Sequence, residues 1–198
     1  MINLFNHKVR IISATKLIQK GRYTLLLAEL GYTRFDGKEA SYKWVIFDRG
    51  NAVAVLLRRD DKFCIVEQLR PATMKEDGKL FVGSGGFLEI IAGTLNFGVD
   101  PVECIHRETA EEVGRRIKNV RLISDCFTSP GSSTEKIAHY LADDDGQADL
   151  PGGGLEKENE DIRIHWLTLE EIVAMIKSGE INDAKTILAV QAYMLENI

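Results

Sequence analysis

Long hydrophobic runs are missing from this sequence: no apolar stretch approaches the roughly 18 residues that suggest a membrane-crossing helix. A basic excess is missing too. With 25 Lys and Arg against 30 Asp and Glu, the formal net charge of −5 argues against a nucleic-acid backbone as the main partner. A phosphate-bearing small molecule stays open, because bound metal ions can supply positive charge locally. Cysteine is scarce. Cys64, Cys104 and Cys126 are odd in number, form no C-x-x-C spacing and sit among apolar residues, which suits buried thiols in a reducing compartment. Nor is there a signal-peptide core, since the first residues include Asn3, His7, Lys8 and Arg10, so a cytoplasmic protein is expected. Internal repeats, low-complexity tracts and long linkers are likewise absent.

What is present is ordinary globular material. A hydrophobic content of 44% over 198 residues suffices for one large domain, or one domain with a small companion. Val9–Ile12, Arg22–Leu30 and Tyr42–Phe47 read as three short strands of a small antiparallel sheet, which alone could hardly bury a core. The Asp48-Arg49-Gly50-Asn51 turn is the expected boundary, giving an N-terminal sheet over 1–48 and a main domain over 49–198. Ala52–Leu57 and Phe63–Gln68 predict a hairpin, Lys75–Gly86 a surface loop, and Phe87–Ala92 a short apolar strand. Val120–Thr128, Ile137–Leu141 and Ile162–Leu167 predict further strands, with Asp143–Glu158 as an acidic, glycine-rich loop. Thr168 to Glu171 is a capping box for a helix stopping at Gly179, and Asn182 or Asp183 opens a last helix.

The chain is organised around Gly93 to Gly114. Asp100 suits an N-cap, Pro101 the first helical position, and Gly114 the C′ position. Val102, Ile105, Thr109 and Val113 form one stripe. Glu108 and Glu112 lie one turn apart, a like-charge pair costing about 0.2–0.5 kcal/mol unless compensated. A hard divalent cation would turn that repulsion into a site. The competing reading is a solvated helix whose Glu111 and Glu112 meet Arg115 and Arg116, which the helix end at Gly114 disfavours.

In this stretch the chain resembles the Nudix hydrolases. The family's box runs Gly, five residues, Glu, seven residues, Arg-Glu, an apolar residue, any residue, Glu-Glu, any residue, Gly and an apolar residue; Gly93, Arg107, Glu108, Glu111, Glu112 and Gly114 fall on its positions without a gap. Val99 replaces the first Glu, Thr109 stands at a usually apolar position, and Arg115 replaces the final apolar residue. Beyond the box, Glu67-Gln68-Leu69-Arg70, Ala92-Gly93, Ser129-Pro130-Gly131, Glu158-Asn159-Glu160-Asp161-Ile162 and the Lys177–Lys185 stretch resemble the ADP-ribose and GDP-mannose pyrophosphatase branch. Gly152-Gly153-Gly154 and the Asp-Arg-Gly-Asn turn lean toward the GDP-mannose type.

The resemblance implies an α/β (α+β) fold, an α/β/α sandwich with a mixed sheet plus a small N-terminal antiparallel sheet exchanged within a homodimer. It implies Mg²⁺-dependent hydrolysis, with Mn²⁺ as an alternative, of the pyrophosphate in GDP-mannose or ADP-ribose. The products are a nucleoside monophosphate and a sugar phosphate. Carried over, Glu108, Glu112 and the carbonyl of Ala92 hold metal, with Glu111 and Glu160 as further ligands. Glu160 is the first candidate base and Glu135 the second, beside Glu112. Arg70, Trp44, Gly93, Thr94, Asn159 and Lys185 are expected to meet substrate. Trp44-Val45 stand where the branch commonly has an Arg-Glu pair, so Trp44 would stack on a base or sugar. His106, His139 and His165 are read as structural. Two other functions remain open on sequence: a non-catalytic nucleotide-sugar sensor, and a Nudix hydrolase of another nucleotide such as a dinucleoside polyphosphate or coenzyme A.

Overall fold

Alternation along two central strands sets the architecture. In β4 (Asn51–Arg59), Val53, Val55 and Leu57 face one apolar cluster while Ala54 and Leu56 face another, and all five are fully buried. In β5 (Lys62–Leu69), Cys64 and Val66 oppose Phe63 and Ile65 in the same way. A strand buried on both sides belongs to a sheet with both faces covered. The structure, a computed structural model, describes residues 9–73, 75–76, 79–80 and 86–196.

The chain divides into two compact units: the described part of Met1–Asn51 together with Phe127–Glu135, and Ala52–Cys126 together with Lys136–Ile198. The first is an antiparallel sheet of β1 (Val9–Lys20), β2 (Tyr23–Thr33) and β3 (Glu39–Asp48), with longer strands than the local patterns predict. The Ser-Pro-Gly segment joins it from far along the chain, because Phe47 N donates to Ser132 O at 2.7 Å, Thr134 N donates to Phe47 O at 3.2 Å, and Thr134 Oγ1 donates to Asp48 Oδ1 at 2.7 Å.

The second unit carries the mixed sheet, in the order β10 (Arg115–Phe127), β11 (Lys136–Ala148), β4, β5, β12 (Arg163–Thr168), with β11 parallel to β4. The two-residue strands β6 (Lys75–Glu76) and β7 (Lys79–Leu80) pair with each other, and the rest of the loop expected over Lys75–Gly86 lies almost wholly outside the described residues. β8 (Gly86–Glu89) pairs with β5, then the chain bends at Ile90 and β9 (Ile91–Leu95) pairs with β4. The single strand expected over Phe87–Ala92 is therefore two, each on a different neighbour. One face of the sheet packs on Cys104, Ile105 and Val113 of α1 (Pro101–Val113). The other packs on α2 (Leu169–Ser178) and α3 (Ala184–Glu196). This is the expected sandwich. Among the described residues no helix is long and apolar enough to cross a membrane.

Two local expectations change. Val102 is exposed, and α1 instead buries Cys104, Ile105, Thr109, Ala110, Glu112 and Val113, so its inward face includes a carboxylate. The acidic Asp143–Ala148 segment continues β11 and is not loop, because its charges are paired: Arg58 Nη2 meets Asp143 Oδ1 at 2.8 Å, and Arg59 and Arg115 meet Asp144 at 2.6 and 3.0 Å. Cys64, Cys104 and Cys126 carry free thiols, Cys126 being only partly buried.

Candidate functional site

The box helix is capped as its residues dictate. Asp100 accepts from the N–H groups of Val102 and Glu103 at 2.8 and 3.1 Å, and Gly114 closes the helix with φ of 72°. Glu108 and Glu112 thereby project from adjacent turns. Glu112 is 4% exposed, and its Oε2 has no hydrogen-bond partner among the described residues. Burial pushes its carboxyl well above the usual range, with the nearby charges of Glu89 and Glu108 adding to the effect. Burial also raises Glu108, against the Arg107 guanidinium, whose Nη2 donates to Glu108 Oε1 at 2.6 Å.

Gly93 makes room for this arrangement. A Cβ there would lie 2.0 Å from the Cδ of Glu108. An orphaned buried carboxylate oxygen beside a second carboxylate cradled under a glycine is an oxygen-donor set that fits a hard divalent cation. Among the described residues no group of three or more His, Cys, Asp and Glu side chains is placed to hold a metal ion. Glu108 leans on Arg107, Glu111 lies 3.9 Å from Arg107 Nε, and Glu160 Oε2 accepts from Leu155 N at 3.1 Å.

The glycine triplet is more than turn chemistry. Gly153 N donates to Glu112 O at 2.8 Å and Gly154 N to Glu111 O at 3.1 Å, satisfying carbonyls that the helix end leaves open. A Cβ on Gly154 would stand 2.6 Å from the Cβ of Glu160. The triplet thus ties the C-terminus of α1 to the Glu160 loop.

Glu67, Gln68, Arg70, Asn159, Glu160 and Arg163 line a polar cleft of 580 Å³. Glu67 pairs with His165 Nε2 at 3.0 Å, which gives His165 a structural partner. Arg70 Nε donates to Glu89 Oε1 at 2.6 Å, and Lys185 pairs with the other oxygen of Glu89 and with Asp183 at 3.0 Å. Glu89 is 1% exposed and was missed by motif reading; its one sequence signal is a carboxylate inside an apolar strand. Thr94 contributes its carbonyl to the Cys104 thiol at 3.5 Å, and Ala92 packs in the apolar layer beneath the site.

Trp44 and Glu135 belong to the first unit. Trp44 meets Tyr42 edge-on with centroids 4.2 Å apart and lines an apolar cavity of 590 Å³ with Leu30, Tyr32 and Phe35. Glu135 is buried, accepts from Thr128 Oγ1 at 3.0 Å and pairs with Arg49 at 3.2 Å. The three departures from the box each have a local account. Val99 packs against the core, Thr109 Oγ1 donates to Ile105 O at 2.8 Å, and Arg115 pairs with the buried Asp144.

A two-faced α/β sandwich whose capped helix presents Arg107, Glu108, Glu111 and Glu112 above Gly93 defines a class. The NUDIX domain model matches residues 48–190, and the chain belongs to the Nudix family as a Nudix hydrolase. Over 186 residues it is 33% identical to the GDP-mannose pyrophosphatase of Escherichia coli O1:K1 / APEC, covering 92% of this chain and 94% of that one. The GDP-mannose pyrophosphatase of Shigella flexneri serotype 5b (strain 8401) matches over the same 186 residues at 33%. The solved structure titled "Crystal structure of ADP compounds hydrolase" superposes with a TM-score of 0.73 at 17% identity, over 94% of this chain and 92% of that one, a likeness of fold.

Proposed function

We propose that this chain is a divalent-metal-dependent pyrophosphatase of nucleoside diphosphate sugars, in the ADP-ribose/GDP-mannose branch, with GDP-mannose as the first substrate to try. The carrying observation is the unpartnered, buried oxygen of Glu112 beside Glu108 in the space left by Gly93. The near full-length relation to proteins named GDP-mannose pyrophosphatase supports the substrate class.

Glu108, Glu112 and the carbonyl of Ala92 would hold Mg²⁺ or Mn²⁺, with Glu111 and Glu160 as further ligands. When bound, such an ion supplies charge neutralisation at the phosphate oxygens and a more acidic water. Arg70, at the cleft, takes phosphate oxygens through its guanidinium fork. Glu160, on the loop held by the glycine triplet, accepts a proton from the attacking water, with Glu135 as the second candidate. A water oxygen–phosphorus bond forms and the bridging phosphorus–oxygen bond breaks, releasing a nucleoside monophosphate and a sugar phosphate. The backbone of Gly93 and Thr94, together with Asn159, orients the phosphates and sugar, and Trp44 offers a stacking face.

The N-terminal sheet, proposed as residues 1–48 beside a hydrolase domain over 49–198, is covered by a second copy of this chain. Every residue of β1 is exposed, including Val9, Ile11 and Ile18 at 60, 74 and 63%, which suits an apolar surface that a partner covers. The free thiols suit a reducing cytoplasm. A panel of GDP-mannose, ADP-ribose, dinucleoside polyphosphates and coenzyme A, run with Mg²⁺ and Mn²⁺, tests the activity. Turnover of a nucleotide sugar that vanishes in Glu108→Gln and Glu112→Gln is expected; unchanged turnover in both sinks the reading. Light scattering that finds a stable, active monomer removes the dimer.

A further inference from the structure

We propose that Glu67 is a specificity-determining residue: its open carboxylate oxygen accepts hydrogen bonds from the sugar's hydroxyl groups, and its charge turns away phosphate at that end of the cleft. The inference rests on the pyrophosphatase reading of the same site.

Glu67 stands in β5 directly opposite Arg163 of β12, and His165 lies two residues further along β12 on the same face. Both reach one oxygen. Glu67 Oε2 meets Arg163 Nη1 at 3.3 Å and His165 Nε2 at 3.0 Å. An opposite-charge pair across two strands is ordinary sheet chemistry, and it accounts for that oxygen. The other oxygen is left over. Among the described residues Glu67 Oε1 has no hydrogen-bond partner, and it lies 3.4 Å from where a Cβ on Gly86 would stand. Apart from the chain neighbours of Gly86, no other atom of the described residues comes within 4 Å of that point. Glu67 and Gly86 both line the polar cleft, so the open oxygen lies on a stretch of wall where residue 86 adds no side chain to cover it.

An ionised carboxylate with one oxygen held and one open is a fixed acceptor without a proton to donate. It suits hydroxyl groups, through charge-assisted hydrogen bonds, and repels phosphate oxygens. The cleft changes character along its length. Arg70 follows Glu67 by three residues, up to about 10 Å further at the rise of a strand, and lines the same cleft. A nucleoside diphosphate sugar laid along it has its charge at the Arg70 end and neutral hydroxyls at the Glu67 end. A bare nucleoside diphosphate or triphosphate instead sets an ionised phosphate against the carboxylate. Glu67 thus combines an attraction for the sugar with a repulsion of its commonest competitors. Arg163 and His165 hold the carboxylate in that orientation.

The test is calorimetric titration of the full chain, with Ca²⁺ in place of Mg²⁺ to slow turnover. The ligands are GDP-mannose, GDP and a GDP-mannose analogue with cyclohexane for the mannose ring; ADP-ribose and ADP form a parallel set, and the set with the tighter sugar ligand is read. Glu67→Gln keeps the shape and loses the charge. It is expected to weaken the nucleotide sugar about tenfold, to tighten the bare diphosphate about threefold, and to leave the cyclohexyl analogue unchanged. Glu67→Asp keeps the charge but withdraws the oxygen, so the nucleotide sugar weakens and the bare diphosphate does not change; this variant decides alone should Glu67→Gln not fold. A purely structural Glu67 moves all ligands together or none, and either result overturns the proposal. So does a wild type that binds no nucleotide sugar more tightly than the matching diphosphate. Opposite shifts in a chain that hydrolyses no nucleotide sugar with Mg²⁺ sink the pyrophosphatase reading and leave Glu67 its role; hydrolysis with uniform shifts does the reverse.

Discussion

Gly93 and Glu108 compete for one volume: the Cδ of Glu108 lies 2.0 Å from where a Cβ on residue 93 would stand. The glycine at the head of the box is thus a spatial requirement of the glutamate fifteen residues later. The atoms that a Cβ would meet belong to the far part of a side chain, so the fold can yield while the carboxylate cannot keep its place. Gly93→Ala is expected to melt near the wild type and to lose about 10²-fold in kcat/KM, the usual cost of an ångström-scale misplacement of a reacting group. Calorimetry and steady-state kinetics on one preparation check both halves.

Glu112 shows the stability cost of a working site. Its carboxyl is buried, one oxygen is unpartnered, and Glu89 and Glu108 repel its charge. Glu112→Gln removes that charge without changing shape, so the metal-free variant is expected to melt higher than the metal-free wild type at pH 8. It should also lose the rise in melting temperature that Mg²⁺ gives the wild type.

The triplet glycines are not equivalent. A Cβ on Gly152 would meet the carbonyl carbon and oxygen of Val113 at 2.7 and 2.8 Å, with φ at 74°, whereas Gly153 meets nothing closer than 3.8 Å. Gly152→Ala should cost about 3 kcal/mol and Gly153→Ala about 1 kcal/mol in denaturant melts, the second reflecting its positive φ alone. Gly154→Ala presses on Glu160 Cβ and should lower kcat more than stability.

Arg115 breaks the box pattern, yet restoring the pattern should harm the protein. Its guanidinium grips Asp144, whose side chain is wholly buried and also holds Arg59. Burial would raise the Asp144 carboxyl, but hydrogen bonds from Arg115, Gly146 and Arg59 bring it below the usual range. Arg115→Leu is expected to destabilise by about 2 kcal/mol, and Asp144→Asn by about 3 kcal/mol because it strands two arginines. Urea melts at pH 7 distinguish the two.

His139 is 1% exposed, stands opposite Ala54 in the β11–β4 register, and neither ring nitrogen has a close hydrogen-bond partner among the described residues. Burial pushes its imidazole below the ordinary value. Between the folded and unfolded values the unfolded chain binds the extra proton, so stability is present above the ordinary histidine range and is lost as pH falls through it. His139→Leu should flatten the decline in melting temperature between about pH 7 and 5 relative to the wild type.

Local chemistry explains what was readable in advance. Asp100, Pro101, Gly114 and the Thr168–Glu171 box act on hydrogen bonds within a few residues, so the caps of α1 and α2 were legible, as was the carboxylate spacing. Asp143 and Asp144 were not. Their strand character depends on Arg58, Arg59 and Arg115, which lie on other strands, and an acidic run without those partners reads as loop. The burial of Glu112 in place of Val102 depends likewise on which face of α1 meets the sheet.

The sequence by itself determined the chemistry of this protein: a capped helix with Arg107, Glu108, Glu111 and Glu112 at fixed spacing after Gly93, because helical geometry alone puts those groups on adjacent turns. Only the tertiary structure decided how those groups are held. Gly153 and Gly154 close the helix end, Glu89 joins Arg70 to Lys185, and Glu135 pairs with Arg49. Each of those contacts joins residues from separate elements. The free energy that places them comes from burial and pairing across the sheet, which no local pattern records.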